Sequence, residues 1–84
     1  MPLIYLGKSR NKKVFITPYS QKRLKQRNLN SKDVLQILDK RETSYPVDED
    51  GRQKIRSTIG TNKKAFLTVL EDSKKIIVIT GGEA

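Results

Sequence analysis

Cysteine and histidine are both absent from this 84-residue chain, and each absence removes a class of chemistry. Without cysteine, neither a disulfide nor a thiolate metal site can hold the fold. Without histidine as well, a zinc site is not expected. Any catalysis near neutral pH must then use tyrosine, lysine or carboxylate groups together with arginine. The sequence therefore predicts that the protein works with no metal and no cofactor.

Long apolar runs are also missing. The first apolar run has four residues before Gly7, which is too short for the core of a signal peptide, and no stretch approaches the length of a membrane span. We therefore expect a cytoplasmic protein with no membrane contact. The length and the hydrophobic content of 35% are those of a single domain over residues 1–84 with one small core.

Acidic side chains are missing from the first 32 residues, which carry nine Lys and Arg. The remaining 52 residues carry nine basic and nine acidic side chains and are neutral. A one-sided positive field concentrates and orients a polyanion. Nucleic acid is thus the first partner to consider, and the simpler alternative is that the charge only keeps the protein soluble.

Two consecutive helices are predicted in the first half of the chain. Thr17-Pro18 can start the first helix, because Thr caps free backbone amides and Pro is tolerated at the first helical position. Asn28 tolerates the left-handed backbone common at helix ends. Asn30 and Asp33 have the spacing of a capping box for the second helix, which should end near Lys40-Arg41.

Short β-favouring runs lie on both sides of these helices. They cover residues 3–6, 14–16, 45–47, 54–59, 64–70 and 75–80. Sequential strands joined by short turns usually pair antiparallel, and helices confined to one stretch cover one face of a sheet. The predicted class is α+β, with short N-terminal strands and two consecutive helices packed on one face of an antiparallel β meander.

A short similarity links residues 11–17, Asn-Lys-Lys-Val-Phe-Ile-Thr, with residues 62–68, Asn-Lys-Lys-Ala-Phe-Leu-Thr. Nothing around the two segments extends the match. We interpret it as a common way to enter a strand whose edges are protected by lysine, not as a duplication.

The first predicted helix places Tyr19, Arg23 and Arg27 at successive i, i+4 positions, which aligns a phenol and two guanidinium groups on one face. An anion such as a phosphate that bridges the arginines would relieve their mutual repulsion. The alternative is a solvated helix face whose arginines pair with carboxylates of the neutral part of the chain, those of the acidic turn at residues 48–50 among them.

The strand after Gly51 is the second candidate. Alternation points Arg52, Lys54 and Arg56 to one face, about 7 Å apart, and the apolar members of the strand to the helices. Such a row can follow the phosphates of an extended single strand. The alternative is an edge strand whose cations prevent aggregation.

Aromatic side chains are few. Phe15 and Phe66 lie inside apolar runs and are expected in the core. Tyr19 and Tyr45, in polar surroundings, can stack on a base or donate a hydroxyl to phosphate. The sequence shows no paired aromatic platform of the kind that reads bases, so base-specific recognition is not expected.

The predicted nucleic-acid-binding residues are cations of the N-terminal hairpin, the first helix and the strand after Gly51. They are Lys8, Arg10, Lys12, Lys13, Lys22, Arg23, Arg27, Arg52, Lys54 and Arg56.

Two neighbouring segments resemble the start of a family of small bacterial proteins of unassigned function. They are Phe15-Ile16-Thr17-Pro18-Tyr19-Ser20-Gln21-Lys22-Arg23-Leu24-Lys25-Gln26-Arg27-Asn28-Leu29 and Ser31-Lys32-Asp33-Val34. That family reads F-T-x-H-A-x-x-R-M-x-x-R-G-I-S-x-x-E-V and is similar to the BrnT and RelE ribonuclease toxins. Arg23 and Arg27 match its two arginines, and Thr80 falls near its terminal threonine. Tyr19 stands where the family usually has His.

The resemblance implies a RelE/BrnT-like fold and an RNA-binding protein, a metal-independent ribonuclease toxin or a descendant of one. In such a toxin the ribose 2′-hydroxyl attacks the adjacent phosphate, and arginine stabilises the added charge. The expected catalytic residues are Arg56 with Arg23 or Arg27, and Tyr19 for proton transfer. The expected partners are RNA and an antitoxin protein that covers the basic face.

Two alternatives use the same charge without cleavage. One is a non-catalytic module that binds nucleic acid or the ribosome, which the absence of histidine favours. The other is an interaction protein whose basic arm docks on an acidic protein, which would then bind that protein more tightly than any RNA.

Overall fold

The computed structural model describes residues 3–83, which form six strands and two helices. The elements in chain order are β1 (Ile4–Ser9), β2 (Lys12–Ile16), α1 (Pro18–Gln26), α2 (Ser31–Lys40), β3 (Thr43–Ser44), β4 (Arg52–Ile59), β5 (Lys63–Glu71) and β6 (Lys75–Glu83). The α+β class is confirmed. Within residues 3–83, neither helix has the length and the apolar composition that a membrane span requires.

Both helices begin and end at the predicted signals. The Thr17 hydroxyl accepts a hydrogen bond from the Ser20 amide at the start of α1. Asn28, just after α1, has a positive φ of 61°. Asn30 and Asp33 form the reciprocal capping box at the start of α2. These contacts satisfy backbone groups that a helix end would otherwise leave without partners.

The sheet has the strand order β1-β2-β6-β5-β4-β3 and is mixed. Strands β3 to β6 form the predicted antiparallel meander, and β1 and β2 form an antiparallel hairpin. The hairpin joins the meander through a parallel pairing of β2 with β6. The prediction of a purely antiparallel sheet is therefore wrong. Parallel pairing needs a long crossover connection, and here that connection contains both helices and the first strands of the meander.

The N-terminal hairpin has a short turn between β1 and β2, and Gly7 is not part of it. Its turn is at Arg10 and Asn11, which both have positive φ, at 53° and 65°. Gly7 instead lies within β1, where a Cβ would stand 3.0 Å from Leu35 Cδ1. Glycine therefore allows α2 to approach β1 closely.

Besides β1, two strands differ most from their predicted ranges. A strand was predicted at residues 45–47, but the observed strand β3 has only two residues and ends just before Tyr45. The Tyr45 amide still donates a hydrogen bond to the Lys54 carbonyl at 2.9 Å. Strand β6 continues three residues beyond Thr80, through two glycines.

The core lies between the helices and one face of the sheet. α2 packs on β1, β4 and β5, and α1 packs on β6. Along the strands buried residues alternate with more exposed ones, and Ile55 and Ile59 face the helices as predicted. The buried apolar residues are Val14, Ile16, Leu24, Leu29, Val34, Ile37, Leu38, Ile55, Ile59, Ala65, Leu67, Val69, Ile76 and Val78.

Candidate nucleic-acid interface

The side of the sheet opposite the helices carries its own set of aligned side chains, and we call it the open face. Residues directly opposite each other on paired strands point to the same side. The pairing therefore gives the open face four rows: Lys8, Lys13 and Lys75; Tyr5, Phe15, Ile77, Leu70 and Arg52; Thr80, Thr68 and Lys54; and Phe66 and Arg56. Thr58 and Lys64 lie opposite each other beyond the last row.

The open face is strongly positive. It carries seven cations, Lys8, Lys13, Arg52, Lys54, Arg56, Lys64 and Lys75. Within residues 3–83, the strand carboxylates are Glu71 and Glu83, each opposite a buried residue on the helix side. Glu71 contacts Lys12 and Arg41, and Glu83 contacts Lys63. No strand carboxylate in this part of the chain thus offsets the open face.

One aromatic and cationic cluster consists of Lys54 and Arg56 on β4, Phe66 on β5 and Tyr45, which directly follows β3; we call it the Phe66 cluster. The Lys54 ammonium lies 4.9 Å from the centre of the Phe66 ring and 5.7 Å from that of Tyr45. Arg56 Nη1 donates to the Tyr45 hydroxyl at 3.2 Å. This hydrogen bond from the guanidinium lowers the pKa of the Tyr45 phenol.

A second cluster lies on the same face, on β1, β2 and β6, and consists of Tyr5, Lys13, Phe15 and Lys75; we call it the Phe15 cluster. The Tyr5 and Phe15 rings are tilted at 57°, with their centres 5.7 Å apart. Tyr5 is 52% exposed. Lys13 and Lys75 are directly paired in the neighbouring row. Aromatic rings flanked by cations thus occur twice on this face.

The prediction that Phe15 and Phe66 lie in the core is wrong. Both are only partly buried and point to the open face, while their neighbours Val14 and Ala65 are buried. In each strand the residues on both sides of the phenylalanine are also apolar. Local alternation therefore gave no sign of which face is covered.

Arg27 reaches the sheet next to the Phe66 cluster. Its Nη1 donates to the Gly81 carbonyl at 2.5 Å. A Cβ on Gly82 would stand 3.4 Å from Arg27 Nη1 and 3.5 Å from Phe66 Cε1. Glycine at position 82 therefore leaves room for the guanidinium beside the ring.

The expected catalytic residues do not all come together. Arg23 lies over the Tyr19 ring at 5.9 Å, and Tyr19 is 64% exposed. Both belong to α1, which packs on β6, and β5 separates β6 from the strand that carries Arg56. Of the two arginines that were predicted on the first helix, Arg27, which directly follows α1, is the one that contacts the end of β6. Lys22 is exposed on the helix.

The hairpin cations divide between the two faces. Lys8 and Lys13 point to the open face. Arg10 donates to the Asp39 carbonyl at 3.2 Å, and Lys12 forms an ion pair with Glu71 at 2.9 Å. The structure thus places Arg10 at the turn and Lys12 on the helix side.

The alternative that arginines of α1 pair with the acidic turn finds no support. The ion pairs present within residues 3–83 are Lys12 with Glu71, Arg41 with Glu71, and Lys63 with Glu83. None involves α1 or residues 48–50.

A polar depression of about 270 Å³ borders the open face at the end of β4. Arg56 and Lys64 line it, together with Glu42. The Glu42 carboxylate accepts hydrogen bonds from the Thr58 amide and the Ser57 hydroxyl, and these lower its pKa. An ionised carboxylate therefore stands at this edge, outside the rows of the open face.

Among the cations and aromatic rings that the strands place on the open face, five were not among the predicted site residues: Tyr5, Phe15, Lys64, Phe66 and Lys75. The similarity between residues 11–17 and 62–68 was the sequence feature that could have identified four of the residues on this face. It places Lys13 and Phe15, and again Lys64 and Phe66, two positions apart, so each pair shares one side of its strand.

We also searched this site for metal ligands and the chain for similar proteins. Within the described part of the chain, no group of three His, Cys, Asp or Glu side chains is placed to hold a metal ion. No protein-family model, curated protein or solved structure matches the chain.

Proposed function

We propose that this protein binds single-stranded RNA on its open face. The observation that carries the proposal is the set of seven cations there, with no strand carboxylate among them in residues 3–83. Phosphate contacts from Lys and Arg supply most of the affinity of proteins for nucleic acid. The resemblance to BrnT- and RelE-like proteins favours RNA as the substrate.

The partly exposed rings favour a single strand over a duplex. Unpaired bases can stack on aromatic side chains, whereas the bases of a duplex are already stacked on each other. Tyr5, Phe15, Tyr45 and Phe66 lie beside cations on the open face, so bases and phosphates can be contacted together.

Salt-dependent binding tests this proposal. The fluorescence anisotropy of a labelled oligouridylate should rise on titration with the protein, and the affinity should fall steeply with added salt. Lys54→Ala and Arg56→Ala should each weaken binding and reduce the slope of log affinity against log salt by about 0.7. Lys32→Ala, which removes an exposed charge from α2, is the matched control and should leave both unchanged.

A salt-independent affinity, or equal losses in Lys32→Ala and the open-face variants, would contradict the proposal. Binding to an acidic protein in preference to any RNA would support the interaction-protein alternative instead.

Cleavage of the bound RNA is a second candidate function. The observation that favours it is the hydrogen bond from Arg56 to the Tyr45 hydroxyl, which lowers the pKa of a phenol on the same face. A phenol with a lowered pKa is better suited to proton transfer near neutral pH, and a guanidinium can stabilise charge on a phosphoryl group.

In this reaction the 2′-oxygen attacks the adjacent phosphorus and the bond from phosphorus to the 5′-oxygen breaks. The proton lost by the 2′-hydroxyl passes through Tyr45 to the departing 5′-oxygen, which leaves a 2′,3′-cyclic phosphate and a 5′-hydroxyl. Arg56 neutralises the extra charge on the phosphoryl oxygens. A toxin of this type would be held inactive by an antitoxin covering the open face.

Incubation of labelled RNA with the protein in EDTA separates cleavage from binding. Cyclic-phosphate products that disappear in Arg56→Ala and Tyr45→Phe would support cleavage. Intact RNA with every variant, together with normal growth of cells that express the protein, would leave binding as the function.

A further inference from the structure

The repeated Lys-x-Phe unit has one geometry at both of its positions. In each copy the first lysine of the Lys-Lys pair contacts a carboxylate on the helix side, Lys12 with Glu71 and Lys63 with Glu83. The second lysine and the phenylalanine point to the open face. The two copies, Lys13 with Phe15 and Lys64 with Phe66, are therefore equivalent in chemistry and in orientation toward solvent.

We propose that these two units are base-stacking subsites that together hold one single strand of about three or four nucleotides. This inference rests on the proposed function, because it specifies how the RNA lies on the open face.

The spacing of the two rings sets the length of the strand. Phe15 lies opposite Ile77, and Ile77 lies opposite Leu70, four residues along β5 from Phe66. Two strand spacings across the sheet and four residues along it separate the rings by about 16 Å. At the interval of about 7 Å that the cations of β4 show, an extended single strand covers that distance in about two to three nucleotide steps, so a base on each ring requires about three or four nucleotides.

The cations are arranged to contact the phosphates of such a strand. Strands β2 and β5 run in opposite directions, because β2 is parallel to β6 and β6 is antiparallel to β5. Lys13 and Lys64 therefore lie at the outer ends of the track, beyond the two rings. Arg52, Lys54 and Arg56 lie along β4 at about 7 Å intervals beside the stretch between them.

Lys54 couples a phosphate contact to base stacking. Its ammonium lies 4.9 Å from the centre of the Phe66 ring. A lysine side chain is flexible, and a phosphate is a stronger partner for its charge than a ring face. When Lys54 turns to a phosphate it uncovers Phe66 for a base.

The first test varies the length of the oligonucleotide. Labelled oligouridylates of two to eight nucleotides are titrated with the wild-type protein at one low salt concentration. The affinity should rise abruptly, by about fivefold or more, when the strand becomes long enough to reach the second ring at about three or four nucleotides. A duplex RNA of the same charge should bind more weakly than the single strand.

Substitutions of the rings are the second test. Phe66→Leu and Phe15→Leu keep an apolar side chain but remove the stacking surface, and each should lower the affinity for the eight-nucleotide strand about fivefold and abolish the abrupt rise. Phe66→Tyr keeps a ring and should retain both. The circular dichroism spectrum and thermal unfolding of each variant show whether it is folded.

The outcomes separate this inference from the proposed function. Affinity that rises smoothly with length and is unchanged in folded Phe→Leu variants would overturn the two subsites and leave RNA binding intact. Equal binding of duplex and single strand would also overturn them. Failure to bind any oligonucleotide, with binding instead to vesicles that contain phosphatidylserine, would overturn both the subsites and RNA binding and assign the open face to a membrane surface.

Discussion

Glu71 holds three parts of the chain together through two cations. It accepts hydrogen bonds from Arg41 at 2.8 and 3.0 Å and from Lys12 at 2.9 Å. Arg41 follows α2, Lys12 starts β2 and Glu71 ends β5. The Arg41 guanidinium and then Lys12 lower the pKa of Glu71 from 4.5 to about 2, against the opposing effect of burial.

Glu71→Gln should destabilise the protein by about 2 kcal/mol, because it leaves two partly buried cations without their carboxylate. Urea unfolding of both proteins at neutral pH measures the difference. Asp50→Asn, in the exposed turn before β4, is the control and should change the free energy of unfolding little. Equal stability of Glu71→Gln and the wild type would mean that the ion pairs contribute nothing.

The same contact predicts a pH dependence. Since the folded-state pKa of Glu71 lies below its ordinary value of 4.5, its contribution is complete above about pH 4.5 and is lost as the pH falls toward 2. Wild-type stability should therefore fall in this window more steeply than that of Glu71→Gln. Parallel curves for the two proteins would contradict the assignment.

Tyr45 gives a spectroscopic test of its contact with Arg56. Arg56→Ala removes the main cause of the lowered pKa, so the pKa of Tyr45 should rise toward its ordinary value of 10.0. Ultraviolet titration measures the phenol, and subtraction of the Tyr45→Phe spectrum isolates it from the other two tyrosines. An unchanged pKa in Arg56→Ala would show that the two side chains do not interact in solution.

At the scale of elements, the contact of α1 with β6 depends on a close approach at Gly81. A Cβ there would stand 2.6 Å from Leu67 Cδ2, 2.7 Å from the Phe66 carbonyl oxygen and 3.1 Å from Leu24 Cδ2. The carbonyl belongs to the paired strand and cannot move freely. Glycine at this position therefore lets the helix and two strands pack together.

Gly81→Ala should lower the free energy of unfolding by about 1–3 kcal/mol through overpacking. Gly82→Ala is the matched control, because its Cβ would stand 3.3 Å or more from neighbouring atoms, the nearest on the flexible Arg27 side chain. Thermal unfolding of the two variants compares them. A larger loss in Gly82→Ala than in Gly81→Ala would contradict this account of the packing.

The helices were predictable from sequence because their signals are local. Thr17, Pro18, Asn30 and Asp33 lie within a few residues of the helix ends that they define, and the structure shows their capping contacts. The alternation of β4 was predictable for the same reason, because its three cations fall on one side of the strand and its two isoleucines on the other.

At the scale of the whole molecule, long-range pairing was not predictable from sequence. The parallel pairing of β2 with β6 joins segments about 60 residues apart, and no turn between them marks it. The orientations of Phe15 and Phe66 also depend on which side of the sheet the helices cover. The two phenylalanines and their cations became recognisable as one surface only after the sheet was assembled.

The positive charge is distributed over the two sides of the sheet differently from its distribution along the sequence. The sequence predicts a basic front third, yet the open face also takes Lys64 and Lys75 from the neutral part of the chain. Lys12, in the front third, lies on the opposite side with Glu71. The segregation in space therefore comes from strand alternation and from the placement of both strand carboxylates on the helix side.

Chemical-shift mapping by NMR can determine which face of the protein contacts RNA. A ¹⁵N-labelled sample is titrated with an unlabelled oligouridylate at low salt. The amides of β2, β4, β5 and β6 beside the Phe66 and Phe15 clusters should shift in proportion to occupancy, while the solvent-facing side of α2 around Lys32 should stay unchanged. Shifts confined to the helices, or none on the strands at saturating RNA, would contradict binding on the open face.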